Sequence, residues 1–164
     1  MAKVENAESD GLKGQASLSE QRKLLAEPVY IIMKLNIYTD GGARGNPGPA
    51  AAGIVIKNEK GAVVEAFGKY LGETTNNQAE YRALLLALEK ATELGGTEII
   101  CYADSELMVK QLNREYKVRD KGLAPIFLSI WNLSVKFKKI SYHHIRREQN
   151  TEADKLVNET LDKQ

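Results

Sequence analysis

Cysteine, tryptophan, histidine and proline are all scarce in this 164-residue chain, which holds one, one, two and four of them. The lone Cys101 excludes an intramolecular disulfide, and its setting in EIICYA marks it as a small buried hydrophobe. No apolar run approaches the roughly 20 residues that a bilayer-crossing helix needs, so a membrane protein is not expected. The first residues, MAKVENAESDGLKGQ, lack the apolar core of a secretory signal and carry acids that a mitochondrial transit peptide avoids, so a cytoplasmic location is expected. An excess of charge is missing too. With 23 Lys and Arg against 22 Asp and Glu the net charge is +1, so no overall basic field announces a nucleic-acid partner and any such surface has to be local.

What is present is a globular composition, 43% hydrophobic and 27% charged, at a length that suits one domain. Residues 1–28 are polar, with only a weak helical pattern in LSEQRKLLAE, and read as a mobile extension; residues 29–164 read as the domain. KLNIYTD alternates as a strand that stops at the turn signal Gly41-Gly42, and AAGIVIKN and AVVEAFGKY follow as two more strands around Glu59-Lys60-Gly61. Asn77 to Leu94 is helical, closed by Gly95-Gly96. TEIICYAD is a short apolar strand, SELMVKQLN a helix, LAPIFLSIWNLSVKF a helix with Pro125 in its first turn, KKISYHHI a last strand and TEADKLVNETL a closing helix. The order βββαβααβα predicts an α/β fold: a mixed five-stranded sheet, an antiparallel meander joined to parallel strands, flanked by helices. In the third helix Trp131, spaced with Phe127, Leu128 and Val135, reads as core.

Four acids need a chemical explanation, although each has an ordinary structural one. Asp40 precedes a glycine, as in a turn. Glu80 follows Asn77 by three residues and Asp154 follows Thr151 by three, both capping-box spacings. Asp104 opens a helix, where an acid caps free N–H groups. Glu80, however, shares a helical stripe with Leu84, Ala87, Ala91 and Leu94, which aims its carboxylate inward at a cost. The predicted elements also bring the four together: Asp40 and Asp104 at the C-terminal ends of strands, Glu80 and Asp154 in first turns of helices, on the rim where open sheets build sites. Four converging carboxylates demand a counter-charge. Oxygen ligands without His or Cys clusters favour Mg²⁺ or Mn²⁺. Two such ions about 3.5–4 Å apart suit phosphodiester hydrolysis.

Four segments, YTDGGARGNPGPAAAGIVI, TTNNQAEYRALLLALE, YADSELMVKQLN and HIRREQNTEADKL, resemble the type 1 ribonuclease H family in the family's order, from about Lys34 to Leu161. The resemblance implies a ribonuclease H-like fold and an endonuclease that cuts the RNA strand of an RNA/DNA hybrid, leaving a 3′-hydroxyl and a 5′-phosphate. It implies that Asp40 bridges two metal ions, that Glu80 and Asp104 complete the set, and that Asp154 serves the ion carrying the attacking water. It places Thr75, Asn76 and Asn77, and with them Asn46, against the minor groove, where ribose 2′-hydroxyls distinguish RNA from DNA. The protein is expected to act as a monomer.

Two stretches depart from the family pattern. Many members carry a basic, tryptophan-bearing protrusion between the third and fourth segments, where this chain has the milder NREYKVRDKGLAPIF, as in a compact subgroup. In place of a glycine- and histidine-bearing loop before the fourth acid stands HHIRREQN, so that either His144, as an aid to product release, or Arg147, as a guide to the scissile phosphate, is the candidate there. A hybrid-binding module with little turnover, or a related nuclease on the same fold, stay open as alternatives.

Overall fold

A computed structural model describes Gly14, residues 16–26 and residues 30–164. The chain divides into two compact units, residues 1–31 and 32–164. In the first, the helical pattern forms α1 (Leu18–Ala26), which buries none of its residues; the mobility expected of residues 1–28 falls largely outside the described residues. In the second the elements run β1 (Lys34–Ala43), β2 (Gly48–Asn58), β3 (Val63–Thr74), α2 (Asn76–Glu93), β4 (Glu98–Ala103), α3 (Glu106–Leu112), α4 (Ala124–Ser134), β5 (Lys139–His144) and α5 (Thr151–Asp162), with a 3-10 turn at Arg147–Gln149.

The sheet has the expected mixed form, in the order β3-β2-β1-β4-β5. β1, β2 and β3 pair antiparallel, whereas β4 pairs parallel with both β1 and β5. Short hairpins suffice for the first three strands; the parallel neighbours need helical crossovers, which α2, α3 and α4 supply. Strand alternation sends Leu35 and Ile37 of β1 and Ala50, Ala52, Ile54 and Ile56 of β2 into one cluster with Ala79, Ala83, Leu84, Ala87, Leu88 and Ala91 of α2. Alanines every fourth residue keep that face of α2 flat and let the helix lie close to the sheet. On the opposite face α5 packs Val157 and Leu161 against Ala51, and Gly53 and Gly68 leave room for the α5 backbone and Thr160.

β1 does not stop at Gly41-Gly42. The strand continues to Ala43, with Gly41 paired to Ala52 and Gly42 to Ala51. A Cβ at Gly41 would collide with the backbone of Ala79 and Glu80, so the glycine marks a helix pressed onto a strand rather than a turn. A second expectation fails at α4. Ile130 and Ser134 are its buried residues, with Leu123 buried at its N-cap, while Trp131 is 39% exposed and Leu128 and Val135 more so. The helix is apolar on two faces and α2 covers only one. Trp131 instead lies under the Arg114 guanidinium, 4.2 Å from its ring centroid.

Candidate active site

Asp40 lies within β1, three residues from its end, on the face opposite α2. It is buried, with 7% of its surface exposed. Asp104 directly follows β4 and does not cap α3; that task falls to Ser105, whose hydroxyl accepts from the Met108 N–H at 3.3 Å. Glu80 is the fifth residue of α2, beyond the first turn, and is not part of a cap. The N-cap is Thr75, whose hydroxyl accepts from the Gln78 N–H at 3.2 Å. Relieved of capping, Glu80 is carried close to β1 by the tight approach of α2 at Gly41, whose backbone N–H opposes the rise of its carboxyl.

Oxygen atoms of Asp40, Glu80 and Asp104 all lie within 4.8 Å of one another. Asp154, in the first turn of α5, lines the same cleft, and its charge helps to raise the Asp40 carboxyl. It is held by Arg147, Nη2 to Oδ1 at 3.7 Å, and by the Asn158 amide at 3.4 Å. The buried Asn150 ties the start of α5 to β1, its amide donating to the Thr39 carbonyl at 2.8 Å. Sequence reasoning did not single out Asn150; its only signal was a polar residue beside Thr151.

Burial raises the Asp40 carboxyl to about 7, helped by the charges of Asp104 and Asp154 and opposed by Arg147. Glu80 is pushed well above the ordinary carboxylate range, first by burial and then by Asp40 and Asp104. Asp104 is raised as well, chiefly by burial, with Arg147 pulling the other way. One oxygen of Glu80, Oε2, is buried without a hydrogen-bond partner. An orphaned carboxylate oxygen beside two further acids is costly in the protein alone and fits a cation bound between them. The all-oxygen donor set suits a hard divalent ion such as Mg²⁺ or Mn²⁺.

The carboxylates open into a cleft of about 440 Å³ whose lining includes Arg44, Asn76, Arg147 and Asn158. The polar residues expected to meet substrate are placed unevenly around it. Asn76 lines the cleft; its Oδ1 accepts from the Ala43 N–H at 2.8 Å, and its own N–H donates to Asn46 Oδ1 at 3.1 Å. Asn46, Thr75 and Asn77 are not among the lining residues, although Asn46 and Thr75 brace the loop and helix that carry Asn76. Of the two candidates near the fourth acid, Arg147 lines the cleft and His144 does not. His144 ends β5 opposite Ala103, exposed, near enough to lower the Asp104 carboxyl only weakly.

Residues 38–160 match the reverse transcriptase-like family. Among individual proteins the chain is similar to a bifunctional protein of Mycobacterium tuberculosis, 40% identical over 131 residues that cover 79% of this chain and 36% of the other. The match thus spans little more than a third of the length of the first curated relatives. The fold is similar to that of RNase H1 from Halobacterium salinarum, with a TM-score of 0.78 and 40% identity over 80% of this chain and 99% of that one. It is also similar to LC11-RNase H1, solved in complex with an RNA/DNA hybrid, with a TM-score of 0.76 and 46% identity over 79% of this chain and 97% of the other.

Proposed function

From the premise that this chain belongs to the reverse transcriptase-like family, within its type 1 ribonuclease H members, we propose that it is an endonuclease hydrolysing the RNA strand of RNA/DNA hybrids to 3′-hydroxyl and 5′-phosphate ends. The observation that carries the reading is the partnerless Glu80 Oε2, buried within a cluster of acids that includes Asp40 and Asp104. Asp40, Glu80, Asp104 and Asp154 would hold two Mg²⁺ or Mn²⁺ ions, which supply the charge neutralisation and water activation of an in-line phosphoryl displacement.

The chain's own groups do the rest. Arg147, in the cleft and near Asp154, takes a non-bridging oxygen of the scissile phosphate and holds it in line. Asn76 has its carbonyl engaged by the Ala43 N–H, so its amide group is left to donate to a 2′-hydroxyl or a phosphate. Asn46 accepts from the Asn76 N–H and Thr75 caps the helix that carries Asn76, and Asn77, exposed on the first turn of α2 outside the cleft lining, is a further donor for the hybrid. The reading is supported by LC11-RNase H1, a similar protein solved with such a hybrid.

The deciding assay offers a labelled RNA/DNA hybrid, duplex DNA, duplex RNA and single-stranded RNA with Mg²⁺ or Mn²⁺. Only the RNA strand of the hybrid is cut, and Asp40→Asn abolishes cutting. Equal cutting of single-stranded RNA would defeat the specificity, and stable binding without cutting would make the protein a hybrid-binding module instead.

A further inference from the structure

The cleft contains a second arginine. Arg44 lines it, and its Nη2 donates to Asp162 Oδ1 at 2.5 Å. Arg147 and Asp154 form a looser pair at 3.7 Å. Both acids belong to α5 and stand eight residues apart, or about 12 Å along the axis at roughly 1.5 Å per residue. Val157, Asn158 and Leu161, which lie between them in α5, line the same cleft. The helix therefore holds an arginine near each end of its cleft-facing side.

The Arg44–Asp162 pair is not what positions the Arg44 backbone. The Arg44 N–H already donates to the Pro49 carbonyl at 2.8 Å, and the Ala43 N–H to Asn76 Oδ1 at 2.8 Å. Asn46 Oδ1 accepts from the Asn76 N–H at 3.1 Å. Gly48 presses so closely on the Arg44 carbonyl that a Cβ there would collide with it. With the loop pinned four ways, the ion pair is left joining two side chains that are 49% and 65% exposed, and such pairs add little to stability. It is cheap to open. A phosphate offers the guanidinium two parallel charge-assisted hydrogen bonds in exchange for one carboxylate contact.

We propose that Arg44 binds a backbone phosphate of the nucleic acid a few nucleotides from the scissile position, and that Asp162 is the internal counter-ion which occupies Arg44 until that phosphate displaces it. This rests on the nucleic-acid reading of the cleft. Its signature is a pair of opposite effects. Removing Arg44 loses a phosphate contact, whereas removing the charge of Asp162 frees Arg44 to make one.

The test compares wild type, Arg44→Ala, Asp162→Asn and the double variant on a labelled RNA/DNA hybrid. Steady-state kinetics with Mg²⁺ and salt titrations of binding, the latter in an Asp40→Asn background, are the readouts, with melting curves beside them. Arg44→Ala raises KM about 10-fold, more than it lowers kcat, and reduces the slope of log affinity against log salt by about one. Asp162→Asn lowers KM and loses that gain when combined with Arg44→Ala, and Arg44→Lys recovers part of the lost affinity. If both single variants weaken binding alike, or shift only the melting temperature, the pair is a structural bridge and the proposal fails. If wild type binds no hybrid at all, the parent reading fails and takes this one with it; if wild type binds and Arg44→Ala binds equally well, only this one falls.

Discussion

Asp40 and Asp104 stand level on neighbouring parallel strands, because the register that sets Thr39 of β1 opposite Ala103 of β4 makes each acid the next residue of its chain. Burial is the main reason that both carboxyls are raised above the ordinary range, and the charge of Asp104 adds to the rise at Asp40. Strand pairing thus fixes the spacing of two ligands before any side-chain rotamer is chosen. Relieving the repulsion stabilises the fold at the expense of the chemistry. In metal-free buffer at pH 8, Asp40→Asn raises the melting temperature by several degrees, since removing a buried ionised group is worth on the order of 2 kcal/mol and about 2–4 °C accompany each kcal/mol at this size. Cleavage of the hybrid is lost in the same variant. A lower melting temperature would show that Asp40 is tolerated without repulsion.

The same acid sets a pH dependence. Its carboxyl is raised in the folded protein to about 7, from an ordinary value of 3.8. Between those two values the folded state binds more protons than the unfolded state, so stability falls as pH rises through that window. Below the unfolded value the contribution is complete; above about pH 7 it is gone. Without divalent metal the protein therefore melts higher at pH 5 than at pH 8, apart from contributions of other groups. With saturating Mg²⁺ the order reverses or flattens, because the ion binds the ionised form. Binding then releases protons, and apparent affinity climbs as pH rises toward 7. Calorimetry of Mg²⁺ binding in buffers of differing ionisation enthalpy measures the protons released; a heat independent of buffer would contradict the shift.

Much of this arrangement was legible from residue order, and what was not has physical reasons. Alternation in KLNIYTD and the apolar run in EIICYA carry the strands, and Glu80 on the stripe with Leu84, Ala87 and Ala91 carries the inward carboxylate. Gly41-Gly42 was open to misreading, because glycine permits both a turn and the close approach of a helix, and only the tertiary contact with Ala79 selects the second. Trp131 was misread for a related reason. α4 has no charged residue, so its periodicity marks two apolar faces without saying which meets α2. The distinction between His144 and Arg147 depends on where the chain turns after β5, and no short-range pattern reports that. Arg44, between β1 and β2, carries no sequence signal of its own, and its pairing appears only when the fold brings Asp162 of α5 beside it.

The contact at Gly41 couples fold to site. A methyl group there has to displace the α2 backbone at Ala79 and Glu80, the same turn that carries Glu80 into the acid cluster. Gly41→Ala accordingly destabilises the protein by about 1–3 kcal/mol, the range for overpacking a close contact. It also weakens Mg²⁺ binding by more than the stability loss explains, because Glu80 is moved. Denaturant melts give the first quantity and metal titration of the folded variant gives the second; normal metal affinity in a destabilised variant would separate the two roles.

Arg147 and His144 make the sharpest contrast among the substrate-facing residues. Arg147 lines the cleft and lies 3.7 Å from Asp154, whereas His144 is exposed outside it, at the end of β5. If Arg147 holds the scissile phosphate, Arg147→Ala removes a charge-assisted contact made to a reacting group and slows kcat by about 10- to 100-fold, equivalent to roughly 1.4–2.7 kcal/mol of the barrier. Arg147→Lys restores only part of the rate, because a point charge does not reproduce the two-pronged contact. His144→Ala leaves single-turnover cleavage within about threefold, since the histidine is not among the residues lining the cleft that holds the carboxylates. Single-turnover and multiple-turnover rates measured side by side divide the roles: a His144→Ala defect confined to multiple turnover places the histidine in product release, and a large single-turnover loss in that variant would overturn the assignment of the phosphate contact to Arg147.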